Sequence, residues 1–151
     1  MTSSTTKELT LEHIQLVNEI TARMVSIILK SVVKHDDSKL KTPEVEIFEE
    51  YTPKPKGSTY GSDEYNQFLK EMKPALDHHY KVNRHHPEYW ENGIKGMTLM
   101  DLTEMIADWL AATKRHDDGN IEKSIEINQK RFGYSDDLKQ IFLNTVNAIQ
   151  G

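Results

Sequence analysis

His35 and Asp36 stand side by side at the end of a long apolar run, in "VVKHDDSKL". An imidazole and a carboxylate in tandem can share a divalent cation, or they can serve as the polar end of a helix. His79, Asn83 and His86 form a second group, spaced i, i+4 and i+7 in "DHHYKVNRHHPE". If that helix runs to Pro87, the three share a face with Leu76 and Met72 and point inward, and His78 points elsewhere. A proline at 87 disfavours helical backbone at 86, which places His86 at a helix end. A third group, Asp101, Glu104 and Asp108, lines one stripe at i, i+3 and i+7. Small Ala107, Ala111 and Ala112 flank it, and no basic residue occurs between Thr98 and Thr113. Three like charges without helix-borne partners are complemented naturally by a cation.

Each histidine taken alone also reads as a hydrogen-bonded core residue, and the acidic stripe as a solvated face. Taken together, the three segments point to a metal. The chain has no cysteine, so only His, Asp and Glu can hold one. Imidazole nitrogen with carboxylate oxygen suits a divalent transition metal, Mn, Fe, Co, Ni or Zn, as one or two ions. Mg fits a histidine-rich set less well.

Helices must position these groups, because no segment alternates with period two. Thr10 is expected to cap the first helix, with a stripe of Ile14, Val17, Thr21, Met24, Ile28 and Val32 that buries most of it and carries His35 inward. A second helix is expected from Thr42-Pro43-Glu44, with Pro43 in its first turn. "YTPKPKGSTYGS", 51–62, reads as a loop. Ser62 then caps a helix that Pro74 can kink. Thr98 starts the next, ended by Gly119, and two shorter amphipathic helices follow around 120–132 and 136–149, parted by Gly133. The expected fold is all-α, a compact bundle of about six helices, with 1–9 as a flexible lead-in and 10–151 as one domain.

The 151 residues carry a net charge of −5, which argues against general nucleic-acid binding. "MVSIILKSVV" is too short to span a bilayer, and the N-terminus lacks an apolar signal core. The expected location is therefore cytoplasmic, with no membrane partner. A homo-oligomer is compatible with the sequence.

"HDDSK" resembles the His-Asp doublet of the HD-domain metal-dependent phosphohydrolases, with Lys39 three positions after the Asp. "TPE" at 42–44 and "RHHPE" at 84–88 are similar to segments of the HD-GYP branch. "EMIADWLAA" resembles the helix that supplies the last aspartate, which falls on Asp108. The order of motifs, from "HDDSK" through "NRHHPE" to "MTLMDLTEMIADWLAA", looks like an uncharacterised family of tailed phages, over roughly residues 11–146. The resemblance implies an HD-like fold, a metal site and, if phage-encoded, residence in the host cytoplasm. It implies a phosphohydrolase acting on a small phosphorylated substrate, a nucleotide or related ester. His13, His35, Asp36 and Asp108 would hold one metal; His79, His85 and His86 would hold a second or meet the phosphate. Lys39 and Arg84 would neutralise phosphoryl charge, with Asn83 beside the substrate. Glu88, Asp101 or Glu104 would orient a water or a metal-bound imidazole. Lys39 serves equally well as a salt-bridge partner of Glu44. Tyr89 and Trp90 can stack on a base or simply fill core. In one straight helix, however, His13 and His35 lie roughly 33 Å apart, so their pairing requires a turn near Ala22–Ser26. An HD-fold di-iron oxygenase, or a non-catalytic phage protein that binds a nucleotide or a host protein, is the competing reading. The second His-Asp-Asp, 116–118, reads as a helix stop running into Gly119, with His116 favoured by the helix dipole.

Overall fold

The computed structural model describes residues 5–51, 67, 70–115 and 119–150. Among them are six α-helices and no strand: α1 Thr6–Val32, α2 Glu44–Tyr51, α3 Lys73–Val82, α4 Leu99–Thr113, α5 Ile121–Phe132 and α6 Asp136–Gln150. The all-α expectation holds. Short 3₁₀ turns at Asp37–Leu40, Pro87–Tyr89 and Gly93–Gly96 join them. The chain divides into two units, Met1–Lys34 and His35–Gly151. None of the described helices is long and apolar enough to cross a membrane. The loop expected at 51–62 and the second His-Asp-Asp lie, apart from Tyr51, outside the described residues.

The first unit is α1. Its cap is Thr5, not Thr10: the Thr5 hydroxyl accepts from the Glu8 amide, and the Glu8 carboxylate accepts from the Thr5 amide. This reciprocal pair satisfies two amides that the first turn leaves over. Thr10 lies inside the helix, and its hydroxyl donates to the Thr6 carbonyl. The expectation of a largely buried helix is not met, for no α1 residue is buried. A single helix has no second element in its own unit to cover an apolar stripe.

The second unit has its apolar core between α4, α5 and α6. Met105, Ile125 and Val146 are fully enclosed, with Trp109, Leu110, Ile121 and Phe142 around them. Trp109 stacks on Phe132 and meets Phe142 edge-on. Local sequence sets the helix ends. Thr98 and Asp101 cap α4 reciprocally, Asn120 accepts from the Lys123 amide at the start of α5, and Gly133 at φ 66° closes it. Left-handed backbone costs glycine little, because it has no Cβ. Helix α4 ends at Thr113, before Gly119. Pro74 stands in the first turn of α3, where its missing amide is not needed, and most of the stretch from Ser62 that it was expected to kink lies outside the described residues. Helix α2 packs on α3 and on the turn Asp37–Leu40, and this pair carries the polar residues toward α4.

Candidate metal centre

Four short elements meet. The first is the turn after residue 34. His35 lies beyond the end of α1, and Asp36 after it takes left-handed backbone, φ 59°, which opens the turn Asp37–Leu40. Aspartate is among the few side chains that tolerate this region. The second is the last turn of α3, which holds His79 at 2% exposure. The third is the turn that follows. Helix α3 ends at Val82, with Asn83 as its cap, so His85 and His86 reach the cluster through the turn and not through helical phase. The fourth is the polar face of α4, with Glu104 and Asp108.

The ring nitrogens sort into two sets. The Nδ1 atoms face buried carboxylates. Glu104 lies 2.9 Å from His35 Nδ1 and 3.4 Å from His85 Nδ1. Glu44, with no exposed surface, lies 2.9 Å from His79 Nδ1 and 2.6 Å from His78 Nδ1. Among the cluster histidines 35, 79 and 85, the Nε2 atoms turn to one another and to the aspartates. His79 Nε2 is 2.9 Å from His86 Nε2 and 3.3 Å from Asp36 Oδ1, and His85 Nε2 is 3.5 Å from the same oxygen. His35 Nε2 is 3.6 Å from Asp36 Oδ2 and 3.5 Å from Asp108 Oδ1. Two sets of side chains could therefore hold a metal ion: Asp36, His79, His85 and His86, and His35, His85 and Asp108.

Three observations fit a cation. Among the described residues, buried Asp36 Oδ1 and His85 Nε2 have no hydrogen-bond partner, and they lie 3.5 Å apart. An orphaned buried acceptor costs about 1–3 kcal/mol, so such atoms want a ligand. Donors each about 2 Å from one ion stand roughly 3 Å apart, as these do. The chemistry matches too, with imidazole and carboxylate and each imidazole oriented through its far nitrogen. The two groups share His85, which has one lone pair to give once Nδ1–H faces Glu104. Asp36 belongs to the first group, and its Oδ2 pairs with Lys39 at 2.6 Å and lies 3.6 Å from His35 Nε2.

The protonation equilibria follow from this crowding. Hydrogen bonding to Asp108 outweighs burial and, with Glu104 and the Asp36 charge, pushes His35 up to about 9. Burial and the charges of His85 and His79 push His86 down to about 3. Burial, then the positive His35, lowers His85. Burial opposes ionisation of Asp36, but the hydrogen bond from Lys39 and the positive His35 overcome it and hold the carboxyl below its usual range. Asp108 is likewise lowered against burial, by His35.

Several expected residues are placed otherwise. His13 is exposed on α1, about 28 Å along that helix from Val32, and neither ligand group includes it. The turn near Ala22–Ser26 on which its pairing depended does not form, because α1 is continuous. His85, expected as a metal ligand or a phosphate contact, is 3% exposed and belongs to both ligand groups. Lys39 pairs with Asp36 at 2.6 Å and not with Glu44. Arg84 donates to Asp101 and stacks on Trp90, whose indole N–H donates to the Arg84 carbonyl. Asp101 is occupied by that pair and by the α4 cap. Glu88 pairs with Arg131. Asn83 bonds Ser38 and the His79 carbonyl, which binds the turn to α3. Glu104 orients His35 and His85, in line with one of the roles expected for it.

Sequence reasoning missed Glu44, Ser38 and the inward engagement of His78. A signal for Glu44 was present: it shares a helical face with Ile47, Phe48 and Tyr51, and an acid on an apolar stripe is a buried acid with partners.

The chain matches the model of a family of unknown function, DUF5662, over residues 2–148. It belongs to that family. No curated protein and no solved structure matches it.

Proposed function

We propose that this DUF5662 member is a metal-dependent phosphohydrolase acting on a nucleotide or related phosphate ester. The observation that carries the metal part is the pair of orphaned buried atoms, Asp36 Oδ1 and His85 Nε2, inside a ring of imidazoles and carboxylates. The resemblance of "HDDSK", "RHHPE" and "EMIADWLAA" to HD-domain phosphohydrolases supports the reaction class. Asp36, His79, His85 and His86 would hold the ion, with His35 and Asp108 beside them. A bound divalent metal supplies polarisation of a phosphoryl oxygen and a water acidic enough to attack at neutral pH. The chain's own contribution is orientation and charge. Glu104 holds His35 and His85 by their Nδ1 atoms. Lys39, partly exposed and bonded to Asp36, is the cation best placed to meet the phosphoryl group. Arg84 is engaged by Asp101 and Trp90, so we assign it to holding the turn.

Metal analysis of the purified protein, with a screen of nucleotides and phosphate esters in Mn, Co, Ni, Zn and Mg, tests the proposal. The expected result is stoichiometric metal and phosphate release that chelation abolishes. Protein free of metal after incubation with each ion would overturn it. An iron-specific absorption spectrum with no phosphate release would turn the reading to an oxygenase.

A further inference from the structure

We infer that Glu44 is a positioning residue: it fixes the tautomer and ring direction of His79, so that Nε2 presents its lone pair to the metal cluster. The inference rests on the metal reading above, but it concerns hydrogen bonds of the chain itself.

The donor and acceptor inventory leaves one arrangement. Glu44 has no exposed surface, and its carboxylate has only acceptors to offer. Oε2 faces His79 Nδ1 at 2.9 Å and the Ser38 hydroxyl at 3.0 Å, and Oε1 faces His78 Nδ1 at 2.6 Å. The Asn83 amide nitrogen also lies 2.9 Å from His79 Nδ1. That nitrogen has two hydrogens, and better-defined acceptors take both: the His79 carbonyl at 2.9 Å and Ser38 Oγ at 2.8 Å. Turning the amide over would set its oxygen against the His79 carbonyl, acceptor against acceptor. Asn83 therefore donates to Ser38. The Ser38 hydroxyl lies 3.0 Å from Glu44 Oε2 and 3.2 Å from His79 Nδ1, and its one proton goes to the carboxylate, the nearer acceptor. His79 Nδ1, 2.9 Å from that same oxygen, then carries a proton and donates it to Glu44. Its Nε2 is left as an acceptor, 3.3 Å from Asp36 Oδ1 and 2.9 Å from His86 Nε2. One carboxylate thus grips two successive histidines, of which only His79 belongs to the ligand groups. Glu44 reaches them because Phe48, on the same face of α2, lies edge-on to the His79 ring.

Two variants separate this role from simple packing. Glu44→Met keeps the volume and removes both acceptors. Glu44→Gln keeps one oxygen, and the two donors at Oε2 draw it to the His79 side, which leaves the amide NH₂ against His78. Long-range ¹⁵N–¹H correlation spectra of the metal-free proteins, at a pH where the imidazoles are neutral, report each tautomer. In the wild type His78 and His79 are both expected as Nδ1–H. In Glu44→Gln, His79 stays Nδ1–H and His78 moves to Nε2–H. In folded Glu44→Met, His79 loses its preference, and zinc affinity, read by competition with a chromophoric chelator, falls about 10–100-fold. Glu44→Gln restores most of that affinity. An Nε2–H tautomer of His79 in the wild type overturns the inference. So does a folded Glu44→Met protein with wild-type tautomer and wild-type zinc affinity. If Glu44→Met does not fold, the Glu44→Gln tautomers decide: unchanged Nδ1–H on His78 overturns the inference. Should the tautomer pattern hold while no protein binds zinc, Manganese(II) or Co(II), the metal reading fails and the positioning of His79 stands.

Discussion

Helix α4 has two buried faces, and they are finished to different degrees. On one, Met105, Ile106, Trp109 and Leu110 meet Ile121, Ile125, Phe142 and Val146. The Tyr134 hydroxyl on this face donates to the Ile125 carbonyl at 2.6 Å. The other face buries Glu104 at 5% exposure and brings Asp108 to the histidines. There the chain's own groups leave Asp36 Oδ1 and His85 Nε2 without partners. The apolar face closes on itself, whereas the polar face keeps side chains that could hold a metal ion. Burial of apolar surface makes the first face the main source of folding free energy. The same helix carries both because its period puts Met105 and Trp109 on one side and Glu104 and Asp108 on the other.

The largest expected effect breaks the polar face alone. Asp36→Asn preserves a residue that tolerates φ 59° but removes the charge and one ligand oxygen. Zinc affinity is expected to fall by more than about 100-fold, and the rise in Tm on adding zinc to disappear. A titration that gives wild-type affinity for a folded Asp36→Asn protein would remove Asp36 from the ligand set.

Met105→Ala is the counterpart on the apolar face. Met105 is fully enclosed, and its truncation should cost about 2–5 kcal/mol. Denaturant unfolding should show the same loss with and without zinc, and the folded protein should bind zinc as the wild type does. A loss that appears only in the presence of zinc would show that the two faces are coupled through the helix.

The sequence disclosed these faces unequally. Apolar spacing at Leu102, Ile106, Trp109 and Leu110 placed the core side of α4, although Leu99 of the same stripe is exposed, and Thr98 and Gly133 marked helix ends by their own chemistry. His79 was legible because it follows Met72 and Leu76 in helical phase. His86 arrived by a different route, since α3 stops at Val82 and the turn 83–86 has no period to read. His85 reaches the cluster through the same turn. His35 lies past the last helical residue of α1, and the left-handed backbone of Asp36 that opens the next turn is a property that no spacing reveals. Glu44 and Glu104 differ in the same sense: Glu104 stood on an acidic stripe that drew notice, and Glu44 stood alone on a short helix. The buried stripe read on α1 required a partner surface, and hydrophobic periodicity does not say where that partner is.

A smaller effect sharpens the electrostatic contrast. His35 is pushed up to about 9, chiefly by its hydrogen bond to Asp108, so in the metal-free protein it carries a proton at neutral pH. His85 and His86 are lowered and carry none, and Asp36 and Asp108 are already ionised. If His35 gives Nε2 to an ion, binding at neutral pH releases about one proton. Affinity then climbs as pH rises from 7 toward 9 and levels off above it. Calorimetry in buffers of different ionisation enthalpy measures that proton count. A count of zero at neutral pH would leave His35 outside the coordination sphere, paired with Asp108 and Glu104 alone.

The smallest effect belongs to the finished face. Tyr134 is 6% exposed, and burial pushes its phenol up to about 12, so the hydroxyl remains a donor throughout the range in which the protein is handled. Its acceptor, the Ile125 carbonyl, lies inside α5 and also faces the amide four residues on, as helical geometry requires. Tyr134→Phe removes the donor and leaves that carbonyl with its helical bond, so no orphan is created. The expected cost is about 1 kcal/mol, the net worth of one hydrogen bond exchanged with water, and zinc affinity should not change. Asp36 Oδ1 on the other face has no such reserve partner, which is why the same kind of deletion there should cost an ion. A Tyr134→Phe loss well above 3 kcal/mol would mean that the hydroxyl anchors the chain between α5 and α6, and the apolar face would then depend on a polar contact as well.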